Sequence, residues 1–453
     1  MIEMILAIMM SWEKVFCQKR MAERAMKQAL SQVCVLGRKT IARSYLARES
    51  QGHWSSEYKL HSRGKWKEEE LYEGVIEKAI EMSKGKFLVL GCDDTRAKKT
   101  GKKIEQAHWG RDAMSPPFHL NLEYGLRFLN IAVIIQQYQK EVSARALPVL
   151  FKEVTPIKKP GKKATQEEVK SYRAKIKQKN LSTETVAELK QMRKRVDKLG
   201  GQDKVIAVAM DGSFANKTLF KSELERTILL ARTRKDAKLC YEERKGKRIY
   251  SPNKFTPEQV RQDEKIEWKS VRIFHGGKFR DVDYKEVKDV LWQRGAGSKH
   301  LRLFVIRPIP YRKTKAGKLL YRQPAYLLTT DLETPPLELL QIYFDRWEIE
   351  VSHKELKQYF GLAQAQVRSY KSVSRQPSMT ACTYSIFHLS AILAFGSRRT
   401  DDFGMTPRYQ RDKSRVSALD LIHFFRYEAI NKPELFPFPL NISAQSLLSA
   451  SSC

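Results

Sequence analysis

The sequence has few residues that could build a zinc site or a disulfide framework. Six cysteines are spread over 453 residues without a C-x-x-C pair, and nine histidines occur without an H-E-x-x-H motif. Both kinds of site need closely spaced ligands or a dense set of paired cysteines. We therefore expect neither, and a reducing cytoplasm is the simplest compartment for this chain.

Long apolar runs are also missing. No apolar stretch reaches the roughly 18 residues that a membrane-spanning helix requires. The opening MIEMILAIMM is largely apolar, but Glu3 interrupts it and no basic segment precedes it. We interpret it as the start of a core-packing helix rather than a signal peptide.

Acidic residues are scarce relative to basic ones. Lysine and arginine number 84 against 51 aspartates and glutamates, which gives a formal net charge of +33. Such an excess favours a polyanionic partner, with nucleic acid as the first choice and a membrane surface as the second.

Residues 1–84 are expected to form a helical, basic N-terminal region. Apolar residues recur at helical spacing, LGRKT interrupts them, and a second helix follows. Helix, glycine turn and basic helix are compatible with a helix-turn-helix. On this pattern we expect Arg38 and Lys39 to contact DNA.

Residues 85–232 carry the pattern of an α/β fold. The short apolar run 87–92 predicts a buried strand that ends on Asp93 and Asp94. The apolar run in VIAVAMDGS predicts another strand, which ends on Asp211. Further strands are expected in YGLRFLNIAVIIQQ and ALPVLFKEV.

The segment before VIAVAMDGS predicts a clear helix. Thr185 and Glu188 have the spacing of a capping box, and a glycine pair supplies the stop. Helix, tight turn and apolar strand together indicate an α/β class. Residues 233–333 instead show short alternating runs, which predict a β-rich segment.

Residues 334–396 predict a return to helices. Thr334 is the expected helix cap, and Pro335 the first helical residue. From residue 397 to 453 the signals are weak, and we expect a loose C-terminal tail.

The stretch YFDRWEIEVSHKELKQYFG predicts one helix that mixes aromatic and charged residues. Four of its side chains are spaced to share one face: Tyr343, Arg346, Glu350 and Lys357. A solvated face with an i,i+4 ion pair would explain the same spacing. Trp347 and Ile349 are interpreted as core residues.

Three acidic positions stand out together: Asp93 or its neighbour Asp94, Asp211 and Glu350. A single aspartate at a strand end is usually a turn former or a helix cap. Three converging carboxylates would repel one another, and divalent cations would remove that cost. Oxygen ligands favour magnesium or manganese, and two such ions roughly 3.5–4 Å apart can support phosphodiester cleavage.

At this point the sequence resembles a bacterial insertion-sequence DDE transposase. Residues 343–357 match the Y-x2-R-x3-E-x6-K signature of that group at every marked position. VLGCDDT is similar to its first-aspartate strand, and VIAVAMDGSF to its second. The resemblance covers roughly residues 30–395 and implies a ribonuclease-H-like mixed sheet flanked by helices, with a β-rich insertion and a helical N-terminal domain.

The resemblance also implies a catalytic site and its cofactor. Asp93, Asp211 and Glu350 would be the catalytic residues and the ligands of two Mg²⁺ ions, with Mn²⁺ as a substitute. Asp94 stays open as the alternative first aspartate. The enzyme would cleave transposon ends and join the 3′ hydroxyl to target DNA.

The implied DNA contacts lie in two segments. On the signature stretch, Tyr343, Arg346 and Lys357 would hold the cut strand. In the β-rich segment, a tryptophan would stack on a flipped base, and the candidates are Trp268 and Trp292, for either of which core packing is the alternative.

The partners would be the terminal inverted repeats and target DNA, bound by a homodimer in the cytoplasm, at the bacterial nucleoid. Two alternatives stay open. One is a ribonuclease-H-like nuclease without strand transfer, and the other is a non-catalytic DNA-binding protein derived from a transposase.

Overall fold

A computed structural model describes residues 1–50, 52–112, 115–116, 118–246, 248–312, 314, 316–404 and 415–452. The chain divides into two compact units, which are described separately. Unit 1 comprises Met1–Met82, Asp94–Pro156 and Glu348–Cys453. Unit 2 comprises Ser83–Asp93 and Ile157–Trp347.

The helices, in chain order, are α1 (Ile2–Met9), α2 (Lys19–Cys34), α3 (Ile41–Ala47), α4 (Ser55–Ser62), α5 (Glu73–Met82), α6 (Gln166–Gln178), α7 (Leu181–Lys198), α8 (Lys217–Phe220), α9 (Pro257–Gln262), α10 (Pro336–Asp345), α11 (Glu348–Gln358), α12 (Tyr370–Phe395), α13 (Ala418–Asn431) and α14 (Ala444–Ser452).

The strands are β1 (Phe87–Lys98), β2 (His108–Arg111), β3 (Leu122–Ile135), β4 (Arg145–Glu153), β5 (Val205–Met210), β6 (Thr227–Arg232), β7 (Glu242–Lys245), β8 (Arg248–Tyr250), β9 (Lys269–Phe274), β10 (Phe279–Leu291), β11 (His300–Ile306), β12 (Pro310–Arg312), β13 (Leu319–Tyr321) and β14 (Ala325–Thr329).

Unit 1 is mainly helical and is organised around α12. This helix packs against β4, α1 and α4, and β4 pairs antiparallel with β3. By length and composition α12 could cross a membrane, but 78% of its most apolar window is buried inside the protein. Ile2 and Ile5 of α1 are fully buried, which confirms that the apolar opening packs into a core.

Unit 2 is built on a mixed sheet. Its strand order is β1-β5-β6-β14-β11-β10-β9. The first three strands are parallel and the others antiparallel, and α10 packs against β5, β6 and β9. The expected α/β class with a mixed sheet flanked by helices is therefore confirmed, and strands β7 to β14 lie within the segment predicted to be β-rich.

Two predicted helix starts are wrong, the first by several residues and the second by one. Helix α7 begins at Leu181, because Asn180 and Thr183 form the capping box. Thr185 is instead buried in the helix, and its hydroxyl donates to the Leu181 carbonyl at 2.8 Å. Helix α10 begins at Pro336, since the Thr334 hydroxyl donates to Asp331 at 2.8 Å and does not cap the helix.

The predicted signature helix is two helices. Helix α10 ends at Asp345 and α11 begins at Glu348. The Trp347 N–H bonds to the Phe344 carbonyl, three residues back, at 3.3 Å, and such a tight final turn ends the regular i→i−4 ladder. Tyr343 and Glu350 therefore belong to different helices, and one continuous helical face does not join them.

The C-terminal residues hold more structure than their weak signals indicate. Helices α13 and α14 lie there, and Leu421 and Phe425 of α13 are fully buried. Arg426 donates to the carbonyls of Cys34 and Val35 at the end of α2, at 2.9 and 3.0 Å. Residues 405–414 of the predicted tail lie outside the described residues.

The buried imidazole of His61 makes unit 1 sensitive to acid. Burial first, and then Arg375, lowers the pKa of His61 to about 3. Below pH 6.5 the unfolded chain therefore binds a proton that the folded chain does not, and stability falls as the pH falls towards 3. We expect His61 to lower the free energy of unfolding by about 1.4 kcal/mol for each pH unit below 6.5.

The measurement is urea unfolding of wild type and His61→Gln between pH 7.5 and 5. The free energy of unfolding of the variant should depend less steeply on pH, by the slope that corresponds to the uptake of one proton on unfolding. Identical pH slopes for the two proteins would contradict the assignment.

Candidate functional site

Two of the predicted catalytic aspartates lie side by side in unit 2. Strands β1 and β5 are parallel, and Cys92 is paired with Met210. The next residues are Asp93, inside β1, and Asp211, which directly follows β5. Neighbouring strands are about 4.8 Å apart, so the register places the two aspartates next to each other where β5 ends.

The signature arginine lies against the first of these aspartates. Arg346 Nη1 is 3.9 Å from Asp93 Oδ2, and the two side chains are only 12% and 15% exposed. Partial removal from water strengthens such a pair relative to one on an open surface. A contact between residues 253 positions apart was not evident from the i,i+4 spacing, which pointed to Glu350.

Asp211 also has the local role of a turn former. Its Oδ1 accepts from the backbone N–H of Ser213 at 2.9 Å and from the Ser213 hydroxyl at 2.7 Å. These bonds fix the carboxylate at the strand end. They are compatible with both the ordinary turn interpretation and a ligand role.

Asp94 has a different environment from Asp93. In unit 1, Arg127 donates to both of its oxygens, Nε to Oδ2 at 2.7 Å and Nη2 to Oδ1 at 2.9 Å. A bidentate guanidinium–carboxylate pair is among the stronger charged contacts in proteins. Asp94 is thus engaged by an arginine on both oxygens, which favours Asp93 as the metal-facing residue of the two.

In the part of the chain that the structure describes, no group of three or more His, Cys, Asp or Glu side chains is arranged to hold a metal ion. The aspartate pair nevertheless suits magnesium, which commonly takes one or two protein carboxylates and fills its other positions with water and substrate phosphate. A three-carboxylate, two-ion site that includes Glu350 remains a prediction.

A basic, aromatic cleft of about 190 Å³ lies beside Arg346 in unit 2. It combines four arginines with aromatic rings and has no acidic residue among its described lining. The lining residues are Arg232, His275, Ile306, Arg307, Ile309, Arg322, Gln323, Ala325, Tyr343, Phe344, Arg346 and Trp347. Guanidinium groups pair with phosphate oxygens, and aromatic faces stack on bases.

Sequence reasoning missed most of this cleft. Arg232 ends β6, Arg307 directly follows β11, and Arg322 directly follows β13. Arginines at the ends of predicted strands were the available signal, but nothing in the sequence indicated that these strand ends meet.

Trp347 is a second departure from the sequence interpretation. Ile349 is fully buried, as expected for a core residue. Trp347 is 48% exposed and lines the cleft, so its interpretation as a core residue is wrong. It lies in the break between α10 and α11, where its ring is not packed into a helix interface.

Tyr343 and Lys357, the other signature residues, lie in different units. Tyr343 is half-buried in the cleft, with its ring 5.8 Å from that of Phe344. Lys357 is exposed on α11. Desolvation of its ammonium lowers the pKa of Lys357, while Glu123 opposes the shift.

The two candidate tryptophans of the β-rich segment are both half-buried. Trp292 packs edge-on against Phe220 at 5.7 Å. Trp268 lies between two cations, with Lys285 Nζ 4.8 Å and Arg307 Cζ 5.4 Å from its ring centre. Neither is among the residues that line the cleft.

The predicted DNA contacts of the N-terminal region also have contrasting environments. Arg38 is exposed. Lys39 is 5% exposed, and its ammonium donates to the carbonyls of Gln32, Val33 and Val35 at 2.7–3.0 Å. Burial first, and then Arg426, lowers the pKa of Lys39 to about 7. The buried ammonium of Lys39 therefore caps carbonyl groups at the C-terminal end of α2.

Helix α11, which carries Glu350, is held by buried charged contacts in unit 1. Arg145 of β4 donates to Glu355 at 3.2 Å, and the Tyr384 hydroxyl donates to the same carboxylate at 2.7 Å. Arg415 donates to Glu348 at 2.6 Å. These contacts fix both ends of α11, and Arg415 comes from the segment expected to be a loose tail.

The chain matches no protein-family model and no curated protein. The residues and their geometry are therefore the basis for a functional assignment.

The Arg145–Glu355 pair gives a direct stability prediction. Glu355→Gln leaves a buried guanidinium without its counter-charge, which typically costs about 3–5 kcal/mol. The control is Glu81→Gln, which removes the exposed partner of Lys78 and should cost less than about 1 kcal/mol. Chemical unfolding of both variants measures the difference, and equal costs would contradict the role given to this pair.

Proposed function

We propose that this protein is a DNA transposase that cleaves element ends and transfers the 3′ hydroxyl to target DNA. One observation carries the proposal. Asp93 and Asp211 follow paired residues of two parallel strands, and the signature residue Arg346 lies against Asp93. Two residues matched to the family by separate motifs are thus in contact.

The proposed chemistry uses a water molecule as the first nucleophile and the freed 3′ hydroxyl as the second. Asp93, Asp211 and, on the strength of the signature, Glu350 would hold magnesium or manganese, which when bound supplies Lewis-acid stabilisation of the phosphodiester oxygens. Asp93 would be placed by Arg346, and Asp211 by Ser213. The finer fold assignment, a ribonuclease-H-like core with a β-rich insertion, belongs to the same proposal.

The basic, aromatic cleft supports DNA as the substrate. Arg307 and Arg322 are exposed and can reach phosphate oxygens, and one guanidinium nitrogen of Arg307 also donates to Asp283 at 3.1 Å. Trp347 offers an accessible face for a base. Four arginines in one cleft favour an anionic ligand, and the aromatic side chains beside them favour a nucleic acid over a small anion.

Two assays separate the proposal from its alternatives. A nuclease without strand transfer would nick DNA but never join a 3′ end to a second duplex. A non-catalytic DNA-binding protein would bind the element ends without any metal-dependent nicking. Short inverted repeats on both sides of the coding region would favour transposition.

The two adjacent aspartates give the first test. We expect cleavage of cognate ends to require Mg²⁺ or Mn²⁺ and to be lost, with end binding retained, in Asp93→Asn and in Glu350→Gln. Asp94→Asn should keep cleavage, because Asp94 is engaged by Arg127. The measurement is nicking of an end-bearing duplex, with thermal melts as the folding control.

The opposite pattern, with activity in Asp93→Asn and none in folded Asp94→Asn, would assign the first ligand to Asp94. Cleavage in the presence of a chelator would overturn the metal requirement.

The cleft gives the second test, through salt dependence. Binding should weaken with salt at about −0.9 log units of affinity per log unit of salt for each phosphate neutralised. Arg322→Gln removes one proposed phosphate partner and should flatten this slope by about one contact. Arg294→Gln removes an exposed arginine that does not line the cleft and is the matched control. Equal slopes for the two variants would mean that the cleft does not hold DNA phosphate.

A further inference from the structure

A second basic pocket lies in the N-terminal helices of unit 1, and none of its lining residues belongs to the family signature. It has a volume of about 250 Å³. Its charged lining consists of four basic residues and two acidic ones: Arg20, Arg24, Lys27 and Arg48, with Glu23 and Glu57. The hydroxyl groups of Ser50 and Ser56 and the ring of His53 complete its polar wall.

The floor of this pocket is a buried ion pair. Arg48 Nη2 is 2.6 Å from Glu57 Oε2, and the two side chains are 3% and 5% exposed. The same carboxylate accepts from Gln28 at 3.0 Å. Its second oxygen, Oε1, is 3.5 Å from Arg24 Nε, so two arginines compensate Glu57, and of these Arg24 keeps 40% of its side chain exposed.

Arg48 retains unused donors. Its Nε and Nη1 groups are buried and have no hydrogen-bond partner among the described residues. A buried donor without a partner typically costs about 1–3 kcal/mol. An anion in the space that Arg48 lines would lower that cost by electrostatic attraction, and Arg20 and Arg24 lie at the same pocket with accessible side chains.

An exposed aromatic pair borders the pocket. The ring of His53, which lines it, is stacked on Trp54 with ring centres 5.6 Å apart and an angle of 25°. Trp54 is 54% exposed, although it is among the largest apolar side chains. An accessible indole beside a basic pocket matches the chemistry of a nucleotide, which has a charged phosphate at one end and a flat base at the other.

We propose that this pocket binds one unpaired nucleotide of a DNA strand, with its phosphate between Arg20 and Arg24 and its base on Trp54. Within a duplex, bases are stacked on one another and offer no free face to an indole. The pocket therefore selects single-stranded or frayed DNA. The proposal shares with the proposed function only the identity of DNA as the partner.

The test is binding of a short single-stranded oligonucleotide to the full chain in the presence of a chelator, so that cleavage plays no part. Arg20→Gln combined with Arg24→Gln should weaken binding about tenfold and reduce the salt slope by about 0.7, the value for one phosphate of a single strand. Trp54→Ala should weaken binding by a similar factor without changing the slope. The control, Lys59→Gln combined with Arg63→Gln, removes the same charge from exposed positions outside the pocket.

Three outcomes would overturn the proposal. Equal effects of the pocket pair and the control pair would mean that only net charge matters. An unchanged affinity in Trp54→Ala would remove the base contact. Inorganic phosphate that competes as strongly as the oligonucleotide would identify a free-phosphate site instead. If the pocket variants behave as expected but the protein does not nick DNA, the result would count against the transposase assignment alone.

Discussion

The parallel pairing of β1 with β5 is the constraint on which the candidate site depends. Because Cys92 and Met210 are partners, the residue after each of them is an aspartate, and the two aspartates are neighbours where β5 ends. A shift of one residue would turn one of the two carboxylates to the opposite face of the sheet. The apolar residues of both strands are buried on each side, so such a shift would also expose the core. Packing of the sheet thus fixes the geometry of its charged edge.

Arginine side chains pair with the carboxylates in this part of the chain. Arg346 lies against Asp93, and Arg127 engages Asp94, so two consecutive carboxylates are each assigned an arginine from a different segment of the chain. Beyond them, Arg307 and Arg322 are exposed in the cleft. Arg307 pairs with Asp283 at 3.1 Å and still leaves more than half of its side chain exposed, so pairing with a carboxylate does not remove this cation from the surface.

The sequence was most informative where one residue type must follow a regular element. Apolar runs before Asp93 and Asp211 predicted the strands and their class, because burial on both faces leaves little choice of residue. The predicted end of the first strand at Asp93 and Asp94 is wrong, since β1 continues to Lys98. It was least informative where distant segments meet. The break at Arg346 and Trp347, the arginines of the cleft and the contact of Arg415 with Glu348 depend on tertiary packing. The spacing of residues along the chain does not indicate such contacts. For Arg346 it predicted Glu350 as the partner, whereas the structure places Arg346 against Asp93.

The buried contacts of α11 show why the weakly patterned C-terminal segment has a structural role. Arg415 and Arg145 are held by carboxylates on the two ends of one helix, and Glu350 lies between those carboxylates in sequence. A charged pair that is removed from water tolerates little displacement, because either partner alone would be strongly destabilised. The orientation of Glu350 is therefore coupled to Arg145 and Arg415. If Glu350 has the role that we propose, Arg415→Gln should slow the cleavage of element ends through that coupling, while a thermal melt still shows a folded protein.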